Sequence, residues 1–135
     1  TDRGLMGEGC IDIPGIRALQ EKYSAAVNDR DVVGMITVNR DFHVAIARAG
    51  GNRYYVDLFA RLLDEGLRIL RLYYSSFNDV LPRQYVNEHD DIIAAIVARD
   101  AGLADRLAAA HADQIVRQIR SYISADNRPS TVMAL

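Results

Sequence analysis

The chain has 135 residues, half of them apolar, with one cysteine and a net charge of −2 at pH 7. This length and composition suit one domain with one hydrophobic core, and the slightly negative charge excludes the basic surface that nucleic-acid binding needs. No apolar run approaches the roughly 20 residues of a membrane span, and Cys10 has no partner for an internal disulfide. We therefore expect a cytoplasmic domain that binds neither DNA nor membranes by itself.

The predicted secondary structure is entirely helical, with polar or glycine-containing breaks between the helices. Residues 1–13 are expected to be irregular, as a truncation or a linker, because their glycines are too closely spaced for a stable helix. Pro14 suits a first helical turn, the glycines at 50 and 51 suit a left-handed stop, and Asp100 suits an N-cap. The tail, 125–135, is expected to be ordered only if it docks. The predicted helices cover 14–28, 32–49, 53–74, 82–99 and 101–123.

The three histidines of the chain fall on the apolar faces of three different predicted helices. His43 lies on the second helix, His89 on the fourth and His111 on the fifth, each with isoleucine, leucine or alanine about one turn away. His89 and His111 are both 11 residues from Asp100, so an antiparallel hairpin that turns there brings them to the same depth. Because imidazole is a common ligand of zinc and nickel, the pattern predicts a shared divalent metal site inside the domain.

Asn39 is a candidate fourth ligand, because it lies one helical turn before His43 on the same face. Its amide oxygen is a neutral and weak ligand, and a buried amide bonded to a neighbouring helix is the alternative. Asp41 is chemically the stronger ligand, but at two residues from His43 it is rotated by about 200° and should face the other way.

The histidines belong to longer motifs that together resemble one known family. These motifs are Asn-Arg-Asp-Phe-His at 39–43, Ala-Gly-Gly-Asn at 49–52, Glu-His at 88–89 followed by isoleucines, and then Asp100 and His111. The combination is similar to the FCD domain, which follows a winged helix-turn-helix DNA-binding domain in FadR-type regulators of the bacterial GntR family. The likeness extends over about residues 14–124 and implies an all-α, antiparallel helical bundle that forms homodimers and binds a small organic acid as effector.

The resemblance also implies a metal site, and the sequence departs from the family in three ways. Members commonly hold the ion through an aspartate and three histidines, and the ion helps to recognise the carboxylate of the effector. The family histidines correspond to His43, His89 and His111, whereas the aspartate position holds Asn39, which implies weaker metal retention. The family's first long helix has no counterpart in residues 1–13 and is expected to be lacking or altered. DNA would be contacted only through a winged helix-turn-helix domain that this sequence does not contain.

Four further residues are candidates for effector binding. Arg68, Arg71 and Tyr73 on the third predicted helix could present guanidinium or hydroxyl groups to a carboxylate, although such arginines are more often solvated. Asn52 is either an effector contact or a turn residue after the double glycine.

Two other functions compete with that of an effector-binding domain. A metal-dependent hydrolase would need a general base near the open metal position, but Glu88 should point about 100° away from His89, and Asp113 should lie off the face of His111. The sequence also has no nucleophile motif and no nucleotide-binding motif, so we predict that the domain is not an enzyme. A metal-free bundle used only for dimerisation is the remaining alternative.

Overall fold

The computed structural model describes residues 11–49 and 53–126 and has six helices in that part of the chain, with no strand. The prediction of an all-α fold is therefore confirmed. None of the six helices is long and apolar enough to cross a membrane. The helices are α1 (Ile13–Asn28), α2 (Val32–Ala49), α3 (Arg53–Glu65), α4 (Leu67–Ser75), α5 (Arg83–Val97) and α6 (Ala101–Asp126).

Aspartate side chains cap the N-termini of α1, α2 and α6. Asp12 accepts a hydrogen bond from the Gly15 backbone N–H before α1, at 2.9 Å. Asp31 accepts from the backbone N–H of Gly34 before α2, at 3.0 Å. Asp100 caps α6 by accepting from the backbone N–H of Leu103, also at 3.0 Å. Each cap satisfies a backbone donor that the first helical turn leaves unpaired, which stabilises a helix by about 1 kcal/mol. The predicted N-cap at Asp100 is confirmed.

The long third helix predicted over 53–74 is wrong, because Gly66 divides it into α3 and α4. The backbone at Gly66 has φ −92° and ψ 11°, outside the helical range. A Cβ atom there would lie 3.1 Å from the Leu62 carbonyl oxygen, so a larger residue would be crowded. The apolar spacing continues through the break, and for this reason the periodicity of the sequence does not reveal it.

The helices pack as two hairpins, α1 with α2 and α5 with α6, and α1 also contacts α5. The two short helices lie beside these hairpins, with α3 and α4 against α2 and α4 against α6. Met35 on α2 and Val86 on α5 are completely buried between them, as is Phe42 next to His43. Burial of a side chain of this size stabilises a fold by about 1.5–3 kcal/mol. Ile119 of α6 belongs to the same buried cluster as Met35 and Val86, so this core fixes the positions of α2, α5 and α6. These are the three helices that carry the histidines.

Candidate functional site

The three histidines converge on one point, as the apolar patterns predicted. His43 on α2, His89 on α5 and His111 on α6 have ring centroids 4.9–5.4 Å apart. One nitrogen of each ring can be chosen so that all three lie within 4.8 Å of one another. His89 and His111 are buried, whereas His43 keeps some exposure to solvent. The arrangement is compact enough for three imidazoles to share one ion.

Gln20 on α1 orients the ring of His89. The amide nitrogen of Gln20 donates to the carbonyl oxygen of Val86 at 3.0 Å, so the amide oxygen is the group that faces His89. This oxygen lies 2.9 Å from Nδ1 of His89, which must therefore carry the hydrogen. The lone pair is then on Nε2. Phe42 stacks on the same ring with centroids 4.2 Å apart, and this packing also holds it in place.

Glu88 orients the ring of His111 across the hairpin from α5 to α6. Its carboxylate oxygen lies 2.7 Å from Nδ1 of His111 and accepts that hydrogen. The second ring nitrogen, Nε2, is buried and has no hydrogen-bond partner among the described residues. Leaving such an atom unpaired is costly, and histidine ligands of metals characteristically combine a free nitrogen with a carboxylate on the other nitrogen.

The expectation that Glu88 faces away from the site is wrong. The angle between neighbouring positions of α5 relates Glu88 only to His89. The side chain of Glu88 instead reaches His111 on the facing helix α6. Glu88 is bonded to Nδ1 of His111 and not to the free Nε2. Gln20 was not identified at all, although a glutamine in line with the buried Ile16 and Tyr23 of α1 is a detectable signal.

Burial keeps two of the rings uncharged. Desolvation, together with the nearby His111, lowers the pKa of His43 to about 3. Desolvation is also the main cause that lowers the pKa of His89 well below its ordinary value, with smaller effects of the other two histidines. Both rings therefore have an available lone pair at neutral pH, the state in which imidazole binds metals.

Asn39 is buried one turn before His43, on the side of α2 that faces the core. No described residue forms a hydrogen bond with its amide, so nothing in this part of the chain supports the alternative of an amide bonded to a neighbouring helix. Asp41 instead pairs with Arg40 at 3.2 Å and lies outside the cluster of ligand atoms. The expectation that Asp41 faces away from the histidines is confirmed, whereas ligation by Asn39 stays a prediction.

The structure separates the four candidate effector residues. Tyr73 is buried, and its hydroxyl donates to the amide oxygen of Gln114 at 3.0 Å, one turn from His111 on α6. Desolvation raises the pKa of Tyr73. Arg68 and Arg71 are exposed on α4 and have no hydrogen bond or ion pair with a described residue. Asn52 lies outside the described residues.

A family model described as the FCD domain matches residues 11–114 of the chain. This range contains all three histidines together with Gln20, Glu88 and Asn39. No curated protein and no solved structure gives a significant match.

Proposed function

Because this chain belongs to the FCD domain family, which supplies GntR-type transcription regulators with dimerising domains for small effectors, we propose that it senses a carboxylate-bearing metabolite through a divalent metal ion. The observation that carries this proposal is the cluster of His43, His89 and His111, in which Nε2 of His111 is buried without a partner. Zinc or nickel suits a set of neutral imidazoles best. When bound, the ion supplies positive charge and an open position for a carboxylate.

The protein's own residues prepare this site before any ligand arrives. Gln20 and Glu88 each bind the Nδ1–H group of one histidine and so direct its Nε2 lone pair inward. Asn39 is proposed as a neutral fourth ligand, which leaves the site more cationic than one with aspartate and so favours an anionic effector. Effector binding would then shift the population of domain conformations in the dimer, and through it the DNA-binding domain of the regulator.

The proposal is tested by purification of the domain without chelator, followed by elemental analysis and binding of organic acids. We expect about one divalent ion per chain, and we expect small carboxylates to raise the melting temperature only when the ion is present. Protein that contains no metal and takes up neither zinc nor nickel after reconstitution would contradict the metal site. The alternative of a metal-free dimerisation bundle would then be preferred.

Replacement of Glu88 with alanine should weaken zinc binding by roughly 10- to 100-fold, the usual cost of removing a residue that orients a ligand. The ring of His111 loses the acceptor that holds it, so the free energy of metal binding becomes less favourable. Competition with a chromophoric chelator measures the affinity. Glu21→Ala on the exposed face of α1 is the matched control and should bind zinc as the wild type does. Equal affinity of Glu88→Ala and the wild type would show that the carboxylate does not position the ligand.

Replacement of Asn39 with aspartate should tighten zinc binding by about tenfold. The attraction between unit charges 4 Å apart is about 1 kcal/mol even in water, and a divalent ion doubles it, although burial of the carboxylate offsets part of the gain. The same competition titration measures the change in affinity. The control is Asn28→Asp, at the exposed C-terminal end of α1. Unchanged or weaker affinity would place Asn39 outside the metal's ligands.

A further inference from the structure

An apolar pocket of about 440 Å³ lies at the end of the bundle where α5 turns into α6. Helices α2, α5 and α6 all contribute to its wall. These are the same three helices that carry the histidines. Its apolar lining includes Ile46, Ile92, Ile96, Ala101, Ala104 and Ala108.

The pocket is in register with the histidine cluster. Ile46 and Ile92 each follow the histidine of their own helix by three residues, and Ala108 precedes that of the antiparallel α6 by three. On each of the three helices, the pocket therefore begins about one turn from the histidine and on the same side of the cluster. One turn is a distance of roughly 5 Å along the bundle. A carboxylate and one or two carbon atoms can span that distance.

The alanines of α6 that line the pocket lie on the same helical face as His111. Ala101, Ala104 and Ala108 recur at helical spacing along this wall and lead to His111, the next position of the same series. Alanine is the smallest side chain with a Cβ atom, so this side of the pocket is the least obstructed. His111 is also the residue whose Nε2 is buried without a partner.

The described side chains that line the pocket are apolar except for three charged ones. Its charged residues, Arg99, Asp100 and Asp105, are exposed at the rim, and Asp100 is already occupied as the cap of α6. Within 11–49 and 53–126, no hydroxyl or amide side chain lines the pocket. A hydroxyl or a second carboxylate held there would lose its hydrogen bonds to water without replacement.

We propose that this pocket receives the apolar body of the effector, so that the ligand class is a monocarboxylic acid with a compact hydrocarbon body. Dicarboxylates and sugar acids are disfavoured. The inference rests on the proposed function for the carboxylate end, which is directed toward the histidine cluster. The volume of the pocket equals that of about 15 water molecules, which is enough for a hydrocarbon chain of several carbon atoms. Each additional buried methylene should tighten binding about fourfold.

The test measures binding of butyrate, hexanoate, succinate and gluconate to the zinc-loaded domain by titration calorimetry. Hexanoate, with two more methylenes, should bind roughly 15-fold more tightly than butyrate, whereas succinate and gluconate should bind more weakly than either. Ala104→Phe should weaken hexanoate binding by at least tenfold and leave the zinc affinity unchanged. Ala110→Phe, on the exposed side of α6 away from the pocket, is the matched control and should change neither. Ala108→Leu provides a smaller obstruction in case Ala104→Phe fails to fold.

The outcomes separate this inference from the proposed function. Succinate or gluconate binding as tight as that of hexanoate, or hexanoate binding that survives both pocket variants, would overturn the pocket assignment while the zinc site stands. A domain without zinc affinity that still binds hexanoate, and loses it in Ala104→Phe, would support the pocket and overturn the metal site. No binding of either zinc or hexanoate would overturn both.

Discussion

Replacement of His111 with alanine is expected to abolish tight zinc binding, with a loss of affinity well beyond the roughly 100-fold that an orienting residue can cost. His111 provides one of three ligand nitrogens, and its Nε2 is the atom that is buried without a partner. Two imidazoles and a neutral amide would be left, too few strong donors to retain the ion. Competition titration gives the affinity, and the rise in melting temperature on addition of zinc should disappear.

Gln118→Ala is the matched control on the same helix. Its amide nitrogen donates to the hydroxyl of Ser76 at 3.0 Å, so this variant loses a contact between α6 and α4 but no proposed ligand. It should keep the zinc affinity of the wild type. His43→Asn repeats the test on α2, with a ligand from a different helix. Wild-type zinc affinity in both histidine variants would show that any bound metal lies elsewhere.

The metal-free domain is expected to lose stability steeply as the pH falls below about 6.5. The pKa of His43 is about 3 in the folded state and near 6.5 in an unfolded chain. The unfolded state therefore binds the proton first, so the stabilisation is fully present above pH 6.5 and is lost progressively toward pH 3. From pH 6.5 to 5, His43 alone should reduce the free energy of unfolding by roughly 2 kcal/mol, and His89 acts in the same direction. This loss is a substantial part of the free energy of unfolding of a typical domain, which is about 5–15 kcal/mol.

Urea unfolding at pH 7 and pH 5, with a chelator present, measures this effect. The variant His43→Asn removes one titrating ring and should lose less stability between the two pH values than the wild type does. The same loss in both proteins would show that His43 is not held uncharged by the fold. Arg83→Ala, which removes bonds to Ser24 and Asn28 at the surface, is a control that should lower stability equally at both pH values.

The capping residues and the apolar patterns predicted most of the helical structure. Asp100 satisfies the first turn of α6 through its own side chain, a contact that depends only on neighbours in the sequence. The division at Gly66 was missed because the apolar residues on both sides keep helical spacing, so the break appears only in the backbone conformation. Local patterns therefore predicted where helices occur but not where a long one is interrupted.

The sequence by itself determined which side chains face the interior, and this placed three imidazoles on the buried faces of three helices. The equal distances of His89 and His111 from the turn at Asp100 also followed from chain geometry alone. Only the tertiary structure decided what holds each ring. Gln20 meets His89 across 69 residues, and Glu88 meets His111 across 23. Such contacts depend on how the helices pack and on the reach of flexible side chains, neither of which is encoded in the periodicity of a single helix.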